Sequence, residues 1–400
     1  MSEFKNLPSG WRVVRLGEIG KIVNGLTYSP ENVSNNGLLV LRSSNINDNF
    51  IVLNNDDVYV KGISKFNKTL ENDILICVRN GSKNLIGKNA LITEKYKDLA
   101  FGAFMAIFRS NYNLFLIHIF KTNTFFKQVK NDLGATINSI NNSNLLNFKI
   151  PLPPLDEQEK IAEILSTWDE AINLTINLIE SKKRFKKALM QNLLTAKIRF
   201  PQFQDEWQET KLGKFLKEKS DRNTENIDLV LSVTNKFGFV TQVEYFDKSV
   251  ASDNTTNYKV VRKGNFAYNP SRINIGSIAL LESYEIGILS PMYVVFECLK
   301  NLDNRFLNFW FQSHNFIGNL YKYLAGSVRE SLNFKDMKTI SIKLPNLNEQ
   351  QKIAEILTTC DDEINLLNLK LENLKKQKQG LMQKLLKGEI RTCHTKKTMQ

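Results

Sequence analysis

Two stretches of the chain carry apolar residues at alternating steps of three and four positions. In the later stretch these positions hold Ile364, Leu367, Leu371, Leu374, Lys378, Leu381 and Leu385. The earlier stretch has Ile172, Ile179, Leu189 and Leu193 at matching positions, with Lys182 and Lys186 interrupting the series. This spacing is typical of a helix that buries a narrow seam in a coiled coil. Each run of about 38 residues predicts a helix roughly 57 Å long. Upstream, the predicted seam includes Ile161, Leu165 and Trp168 in the first helix, and Ile353 and Leu357 in the second.

The two predicted helices begin with nearly the same sequence, "PPLDEQEKIAEIL" from Pro153 and "PNLNEQQKIAEIL" from Pro345. A shift of 192 positions aligns Gly134 with Gly326 and Arg199 with Arg391 without a gap. About half of the aligned residues from Pro153 to Arg199 are identical, which indicates an internal repeat. The repeated Asp156-Glu-Gln-Glu and Asn348-Glu-Gln-Gln also predict capping boxes at the two helix starts.

Upstream of the helices the agreement between the copies thins to scattered anchors. "WRVVRLGEI" from Trp11 matches "WQETKLGKF" from Trp207, and "LENDILI" from Leu70 matches "VRKGNFAY" from Val261. The chain is therefore a duplicated unit. The two copies have similar sequences in their helices and divergent sequences in their globular parts. The predicted order is a first globular domain over 1–150, a first helix region over 151–199, a second globular domain over 200–343, a second helix region over 344–391, and a tail over 392–400.

Charge along the two helices predicts how they pair. Each helix is acidic in its first half and basic in its second half, with Asp169 and Lys186 as examples in the first helix and Asp361 and Lys378 in the second. Antiparallel pairing would set acidic halves against basic halves. We therefore expect an antiparallel coiled coil with a globular domain at each end, related by a pseudo-twofold axis.

The globular parts predict an α+β fold. Short β-prone runs at 37–44, 73–81, 276–282 and 292–297 are separated by Asn, Asp and Gly turns. One helix is predicted from Leu114 in the first copy and one from Arg305 in the second, each ahead of its anchor glycine.

Composition and charge narrow the function. The 400 residues carry a net charge of +13 with a pI of about 9.3, which favours a polyanionic partner. Residues 1–150 hold 18 Lys and Arg against 11 Asp and Glu. Four dispersed cysteines and three histidines argue against a disulfide framework or a zinc site. The longest apolar run, 99–108, is too short to span a membrane, and the amino terminus lacks the apolar core of a secretory signal, so we expect a cytoplasmic protein.

Motif searches for an enzyme find only poor matches. "GSKNLIGKN" from Gly81 has the wrong glycine spacing for a phosphate loop, and Asn89 replaces the magnesium-binding Ser or Thr. The run from Asn269 to Arg272 lacks the second proline and the aromatic residue of an amino-methyltransferase loop. Asp205, Glu209 and Lys211 lie too close together for a magnesium nuclease. We predict no catalytic, cofactor-binding or metal-binding residue and no enzyme activity in the chain by itself.

Polar residues that follow the predicted strands are candidates for contacts with DNA. Arg and Lys can donate to guanine, Asn can pair with adenine, and Ser and Lys can hold phosphates. Turns are also rich in such residues for purely structural reasons. The candidates are Arg42, Ser44, Asn45, Arg79, Asn80, Lys83, Asn84 and Lys88 in the first copy, and Thr234, Asn235, Lys236, Asn269, Ser271, Arg272 and Arg329 in the second.

The repeated "PPL-x-EQ-x-KIAEIL" type of run, the helix ending "LMQNLL" or "LMQKLL", and the "W-x4-LG" that opens each globular part resemble the specificity subunits of type I restriction-modification systems. The resemblance implies two target-recognition domains that each read half of a split sequence in double-stranded DNA. It also implies two adenine-N6 methyltransferase subunits seated on the helices, and ATP-dependent restriction and translocase subunits in the full complex. Two alternatives stay open, a specificity subunit of a related system with a fused modification and cleavage subunit, and a coiled-coil scaffold that binds only protein.

Overall fold

The computed structural model describes residues 7–54, 56–133, 138–242, 254–324 and 331–392. The chain forms two compact units, one comprising Met1–Thr175 with Lys370–Gln400 and the other Ile176–Leu369. Both unit boundaries fall within long helices, so each unit contains a globular domain and a part of both helices. The domain limits expected from the sequence instead place each long helix in a region of its own, 151–199 and 344–391, and they remain a prediction.

The first unit is built on two four-stranded sheets. One has the order β2-β11-β8-β9 and is antiparallel, and the other has the order β10-β4-β7-β3. Strand β8 reads Ile-Leu-Ile-Cys and is buried at every position, as its continuous apolar run predicts. The strands are β1 Arg12–Arg15, β2 Lys21–Asn24, β3 Val33–Ser34, β4 Leu38–Leu41, β5 Ile46–Asn47, β6 Phe50–Ile51, β7 Val58–Val60, β8 Ile74–Cys77, β9 Asn89–Leu91, β10 Ala100–Phe101, β11 Met105–Arg109 and β12 Lys149–Leu152. The short helices are α1 Leu16–Ile19, α2 Asn113–Ile119, α3 Asn123–Asp132 and α4 Asn142–Leu146.

The second unit repeats one of these sheets. Its sheet β14-β21-β18-β19 has the same succession as β2-β11-β8-β9, so β21 is the counterpart of β11 and β18 that of β8. The strands are β13 Gln208–Lys211, β14 Leu216–Lys219, β15 Leu231–Thr234, β16 Gly238–Thr241, β17 Lys259–Arg262, β18 Phe266–Tyr268, β19 Ile278–Leu280, β20 Ile286–Leu289, β21 Val294–Cys298 and β22 Ser341–Leu344. The short helices are α6 Asn304–Phe311, α7 His314–Leu324 and α8 Phe334–Met337. The α+β class with internal duplication is confirmed.

The single helix predicted before each anchor glycine is wrong, because each region forms two helices. In the first unit Thr122 lies between α2 and α3, and its Oγ1 accepts a hydrogen bond from Phe125 N at 3.3 Å. In the second, Ser313 Oγ accepts from Phe316 N at 3.4 Å between α6 and α7. A hydroxyl side chain that caps a new helix competes with continuation of the old one, and apolar periodicity does not register this.

The two long helices are α5, Leu155–Leu193, and α9, Leu347–Leu386. Both begin earlier than the predicted capping boxes, so Asp156 and Asn348 lie inside the first turn and that prediction is wrong. Asn346 instead caps α9, since its Oδ1 accepts from Glu349 N at 3.0 Å. Among the described residues, no helix has both the length and the apolar character that crossing a membrane requires.

Within each unit the two long helices run antiparallel, as predicted. In the first unit Glu157 contacts Arg391 and Asp169 contacts Lys378. In the second unit Lys186 contacts Asp361, and Arg199 contacts Glu349. Residue numbers rise on one helix as they fall on the other, and acidic halves meet basic halves. The predicted seam residues are all buried or half-buried.

Candidate nucleic-acid interface

In the first unit, polar residues that follow β4 and β8 meet at Ser43. Asn80 Nδ2 donates to Ser43 Oγ at 3.0 Å, and Lys88 Nζ donates to the Ser43 carbonyl oxygen at 3.3 Å. These bonds join two loops that are distant in sequence, and they use polar groups of Asn80 and Lys88. The two side chains therefore support the loops as well as lining them.

Several predicted contact residues of the first unit are exposed around this junction, namely Arg42, Ser44, Arg79, Lys83 and Asn84. Arg42 and Arg79 flank the turn that precedes β11. A Cβ built on Gly102 in that turn would lie 3.9 Å from Cγ of Arg42, and the Arg79 guanidinium lies 5.8 Å from the ring centroid of Phe104. The exposed cations Arg42 and Arg79, which belong to the loops after β4 and β8, therefore both lie beside the turn before β11.

Asn45 is fully buried, unlike the other candidates of the first unit. Its Nδ2 donates to Asp57 Oδ1 at 2.6 Å and to the Val52 carbonyl at 3.2 Å, while its Oδ1 accepts from Arg42 N at 2.9 Å. The amide holds the loop after β4 in shape, and we leave Asn45 out of the proposed contact set.

In the second unit, the hairpin between β15 and β16 lies beside the loop after β18. Asn235 and Lys236 are exposed at the hairpin tip, and Thr234 Oγ1 caps the turn by accepting from Phe237 N at 3.0 Å. A Cβ built on Gly276, whose φ is +83°, would lie 3.7 Å from Cβ of Asn235. The two loops therefore form one polar surface.

The loop after β18 contains a 3-10 helix, Pro270–Ile275, on which Ser271 and Arg272 are exposed. Asn269 is buried and serves as its N-cap, because its Oδ1 accepts from Ser271 N at 3.1 Å. We leave Asn269 out of the contact set for the same reason as Asn45. Arg329, Gly134 and Gly326 lie outside the described residues.

Large exposed apolar side chains lie in the same loops and were missed by the sequence analysis. Phe104 is 55% exposed before β11, Met292 is 62% exposed before β21, and Phe237 and Ile275 are 60% and 56% exposed. The candidates chosen from the sequence were all polar, so these apolar residues were not among them. The sequence did contain one sign of them, because Phe104 and Met292 both lie in turns that come just before two matching strands.

A buried glutamate at the start of each long helix links three segments of its unit. Glu157 accepts from both Arg391 Nε (2.8 Å) and Arg391 Nη2 (3.0 Å), and also from Trp11 Nε1 (2.9 Å). Glu349 accepts in the same way from Arg199 and from Trp207 Nε1. These bonds explain the repeated Trp and Arg. They tie the first strand region, one helix start and the other helix end together.

The first unit contains a buried ionic cluster around His118. His118 is fully buried, with Nδ1 3.7 Å from Asp169 Oδ2, and Asp169 also pairs with Lys121 and Lys378. Burial, reinforced by the neighbouring ammonium groups, lowers the pKa of His118 to about 3. Burial also lowers the pKa of Lys121, to about 8. Burial opposes ionisation of Asp169, but Lys121 and Lys378 outweigh it and lower the pKa of its carboxyl group.

His118 lies four residues before the capping Thr122 in the first unit, and Phe309 lies four residues before the capping Ser313 in the second. The two positions therefore correspond. Lys186 Nζ lies 5.0 Å from the Phe309 ring centroid and pairs with Asp361. The cation and the carboxylate therefore recur, and the histidine does not.

The enzyme motifs rejected from the sequence have structural roles. Asn89 is buried and its Nδ2 donates to the carbonyls of Gly87 and Phe120. Asp205 accepts from Asn346 Nδ2 at 2.9 Å. Burial raises the pKa of the Cys77 thiol to about 11 and that of Cys298 to about 12, so these thiols are poor nucleophiles. Within the described ranges no three His, Cys, Asp or Glu side chains cluster as a metal site would require.

Fold and site together define an internally duplicated α+β protein with two long antiparallel helices and two separate polar loop surfaces. The family model described as type I restriction modification DNA specificity domain matches residues 8–184 and again residues 204–376. The chain belongs to this family.

Relatives match along nearly the whole chain. The putative type I restriction enzyme MjaX specificity subunit of Methanocaldococcus jannaschii is 28% identical, over 98% of this chain and 96% of the relative. The EcoKI specificity subunit of Escherichia coli K12 is 24% identical, over 96% and 90%. The crystal structure of the S subunit from M. genitalium has the same fold, with a TM-score of 0.62 at 18% identity, covering 96% of this chain and 98% of that one.

Proposed function

We propose that this chain is the DNA sequence-recognition subunit of a type I restriction-modification complex, and that each globular domain reads one half of an asymmetric bipartite target. One observation carries the proposal. The family model matches both copies, yet the matched loops expose different side chains. Arg42, Arg79 and Phe104 belong to the first surface, whereas Asn235 and Arg272 belong to the second. Different groups at equivalent places favour different half-sites.

The proposal assigns the long helices a second task. About half of their residues are identical between the copies, so they can offer two equivalent seats to two methyltransferase subunits. Restriction and translocase subunits would join the larger complex, and the chain itself would supply no catalytic group. The names of the relatives, type I restriction enzyme specificity subunits, support this assignment.

The same helices would set the gap between the half-sites. A helix of 39 residues rises about 58 Å at 1.5 Å per residue, which corresponds to about 17 base pairs at 3.4 Å each. That length is an outer bound, because recognition domains can lean toward the duplex. Half-site centres one helical turn apart would present both halves on one face of the DNA.

Co-expression of the chain with its methyltransferase subunit, followed by genome-wide mapping of modified adenines, tests the proposal. We expect a bipartite motif with two different halves and a fixed gap. Exchange of residues 1–150 for another recognition domain should change one half only.

Other outcomes would favour the alternatives. A motif that stays unchanged after the exchange, or DNA affinity that stays negligible with the methyltransferase present, favours a protein-binding scaffold. Modification that requires a single polypeptide carrying both modification and cleavage activities would favour the related fused system.

A further inference from the structure

Phe104 is an exposed aromatic residue on a rigid support. Its carbonyl oxygen accepts hydrogen bonds from Val78 N at 3.0 Å and from Arg79 N at 3.1 Å. The preceding turn is closed by a bond from Met105 N to the Gly102 carbonyl at 2.8 Å. The next residues enter β11, which is paired on both sides by β2 and β8. The backbone of Phe104 is therefore fixed, and its ring is more than half exposed on this fixed position.

One arginine lies over the Phe104 ring, and a second lies beside the turn that carries it. The guanidinium of Arg79 lies over the Phe104 ring, and Arg42 lies beside the turn at Gly102. Both arginines are exposed. Leaving a phenyl ring in water forfeits the free energy that its burial would contribute. A solvent-exposed ring with the guanidinium of Arg79 over it, and a second arginine beside the same turn, matches a polyanion that also has apolar groups. The major groove of DNA has such groups in the methyl groups of thymine.

We propose that Arg79 and Phe104 read one base step of the first half-site, with Arg79 donating to N7 and O6 of a guanine and Phe104 packing on the 5-methyl group of a thymine in the adjacent base pair. The proposal deepens the proposed function and rests on it. Arginine is the commonest side chain on guanine in the major groove, and aromatic side chains make apolar contacts with the thymine methyl. Arg42, which is exposed beside Gly102 of the same turn, would approach a phosphate.

The geometry favours a contact with the base edge over insertion between base pairs. An inserted ring stacks on bases through both faces, whereas the Arg79 guanidinium covers one face of Phe104. The two backbone hydrogen bonds to the Phe104 carbonyl also hold the residue at the strand end. One ring face and the ring edge remain for a methyl group.

The second domain has an exposed apolar residue at the matching place. Met292 precedes β21, the counterpart of β11, and is exposed to a similar degree. Single exposed apolar residues are common on protein surfaces. Here, however, an exposed apolar residue occurs in both domains, each time in the turn before the matching strand, which indicates that this turn has the same role in both.

The test uses the chain in complex with its methyltransferase subunit. Adenine mapping of the wild-type complex should find a guanine next to a thymine in the half-site assigned to residues 1–150. A synthetic duplex with uracil in place of that thymine lacks only the methyl group. It should bind the wild-type complex about fourfold more weakly. This factor corresponds to the free energy of about 0.8 kcal/mol that burial of one methyl-sized group contributes.

The variant Phe104→Ala should bind the thymine and uracil duplexes equally, and Phe104→Leu should retain part of the preference. Leu114→Ala removes another exposed apolar side chain, which lies beside Gly20 and Asn72 instead, and should leave the preference intact. Because Phe104 is exposed, its variants should melt near the wild-type temperature, and this can be measured on the same samples.

Several results would overturn the inference. A mapped motif without guanine next to thymine in that half, or Phe104→Ala retaining the thymine preference, would refute it while leaving the bipartite function standing. A fluorescent base analogue at the step that brightens on binding would show insertion, which contradicts an edge contact. Failure of the wild-type complex to modify any bipartite site would remove the proposed function and this inference together.

Discussion

Arg391 donates two hydrogen bonds to the buried carboxylate of Glu157, from Nε at 2.8 Å and Nη2 at 3.0 Å. The two residues are 234 positions apart, and Glu349 holds Arg199 in the same way at a separation of 150 positions. In each unit, the glutamate at the start of one long helix therefore binds an arginine that follows the end of the other long helix. The fold of each unit therefore depends on both copies of the repeat.

Substitution of Arg391 by Met should destabilise the first unit. Glu157 would keep only its bond from Trp11 and would remain buried with an incompletely paired charge. Loss of one partner of a buried pair costs about 3 kcal/mol or more. Hydrogen exchange of the amides in α2 and at the start of α5 would measure the loss in that unit.

The matched control is Lys160→Met, on the helix that carries Glu157. Lys160 pairs with Glu163 at 2.6 Å, but both side chains are at least half exposed, so the change should cost under about 1 kcal/mol. Equal effects of Arg391→Met and Lys160→Met would contradict a structural role for the buried pair.

The buried His118 predicts a pH dependence confined to the first unit. Its pKa is about 3 in the folded chain against an ordinary 6.5, so the unfolded chain binds the extra proton between these values. Stability is then complete above pH 6.5 and declines as the pH falls toward 3. At pH 5.5 the loss should be about 1 kcal/mol. The lowered pKa of Asp169 adds a loss of the same sign at more acidic pH.

The variant His118→Phe, which installs the residue that the second unit carries at Phe309, should remove this loss between pH 6.5 and 5.5. Urea unfolding followed by exchange of α2 and α3 amides at both pH values would measure it. A wild-type chain and a His118→Phe chain with the same pH slope in that range would refute the assignment to this histidine.

Binding of DNA by the complex should depend steeply on salt, with identifiable contributions from the first surface. If Arg42 and Lys83 contact phosphates, Arg42→Gln and Lys83→Gln should each reduce the slope of log affinity against log salt by about 0.9. Anisotropy titrations of a labelled half-site duplex between about 50 and 200 mM salt provide the measurement. Lys149→Gln, which removes an exposed cation on β12, should leave the slope unchanged.

Lengthening both helices should widen the gap in the target. Duplication of residues 172–175 and of the matched residues 364–367 adds four residues to each helix, about 6 Å of rise or about two base pairs. Four residues are close to a whole turn, so the seam stays nearly in phase. Mapping of methylated adenines should find unchanged half-sites with a wider gap, and an unchanged gap would exclude the helices as the spacer.

The long helices could be predicted well because their signal is local and repeated. The steps from Ile364 to Leu385, and the near identity of two distant stretches, are visible in the sequence itself. Antiparallel pairing could be predicted from charge, since acidic and basic halves could neutralise each other in only one direction, and the chain order required the same direction. The breaks at Thr122 and Ser313 escaped this reasoning because apolar periodicity continues through them, while a single hydroxyl decides where the helix restarts.

The candidate contacts were predicted only in part, for a different reason. Asn45 and Arg42 look alike in sequence as polar residues after a strand, but packing buries the amide against Val52 and Asp57 and leaves the guanidinium exposed. Burial depends on which distant segments cover a loop, and local composition does not contain that information.

Sequence reasoning was enough to predict the duplication, the α+β class, the two long helices and their antiparallel sense. Periodicity, internal identity and charge act between residues that the chain order relates simply. Tertiary packing set which polar side chains face solvent. It also placed the guanidinium of Arg79 over the ring of Phe104 and paired Arg391 with Glu157. Those relationships arise where strands and helices far apart in the chain pack together, and each is set by the whole core beneath it.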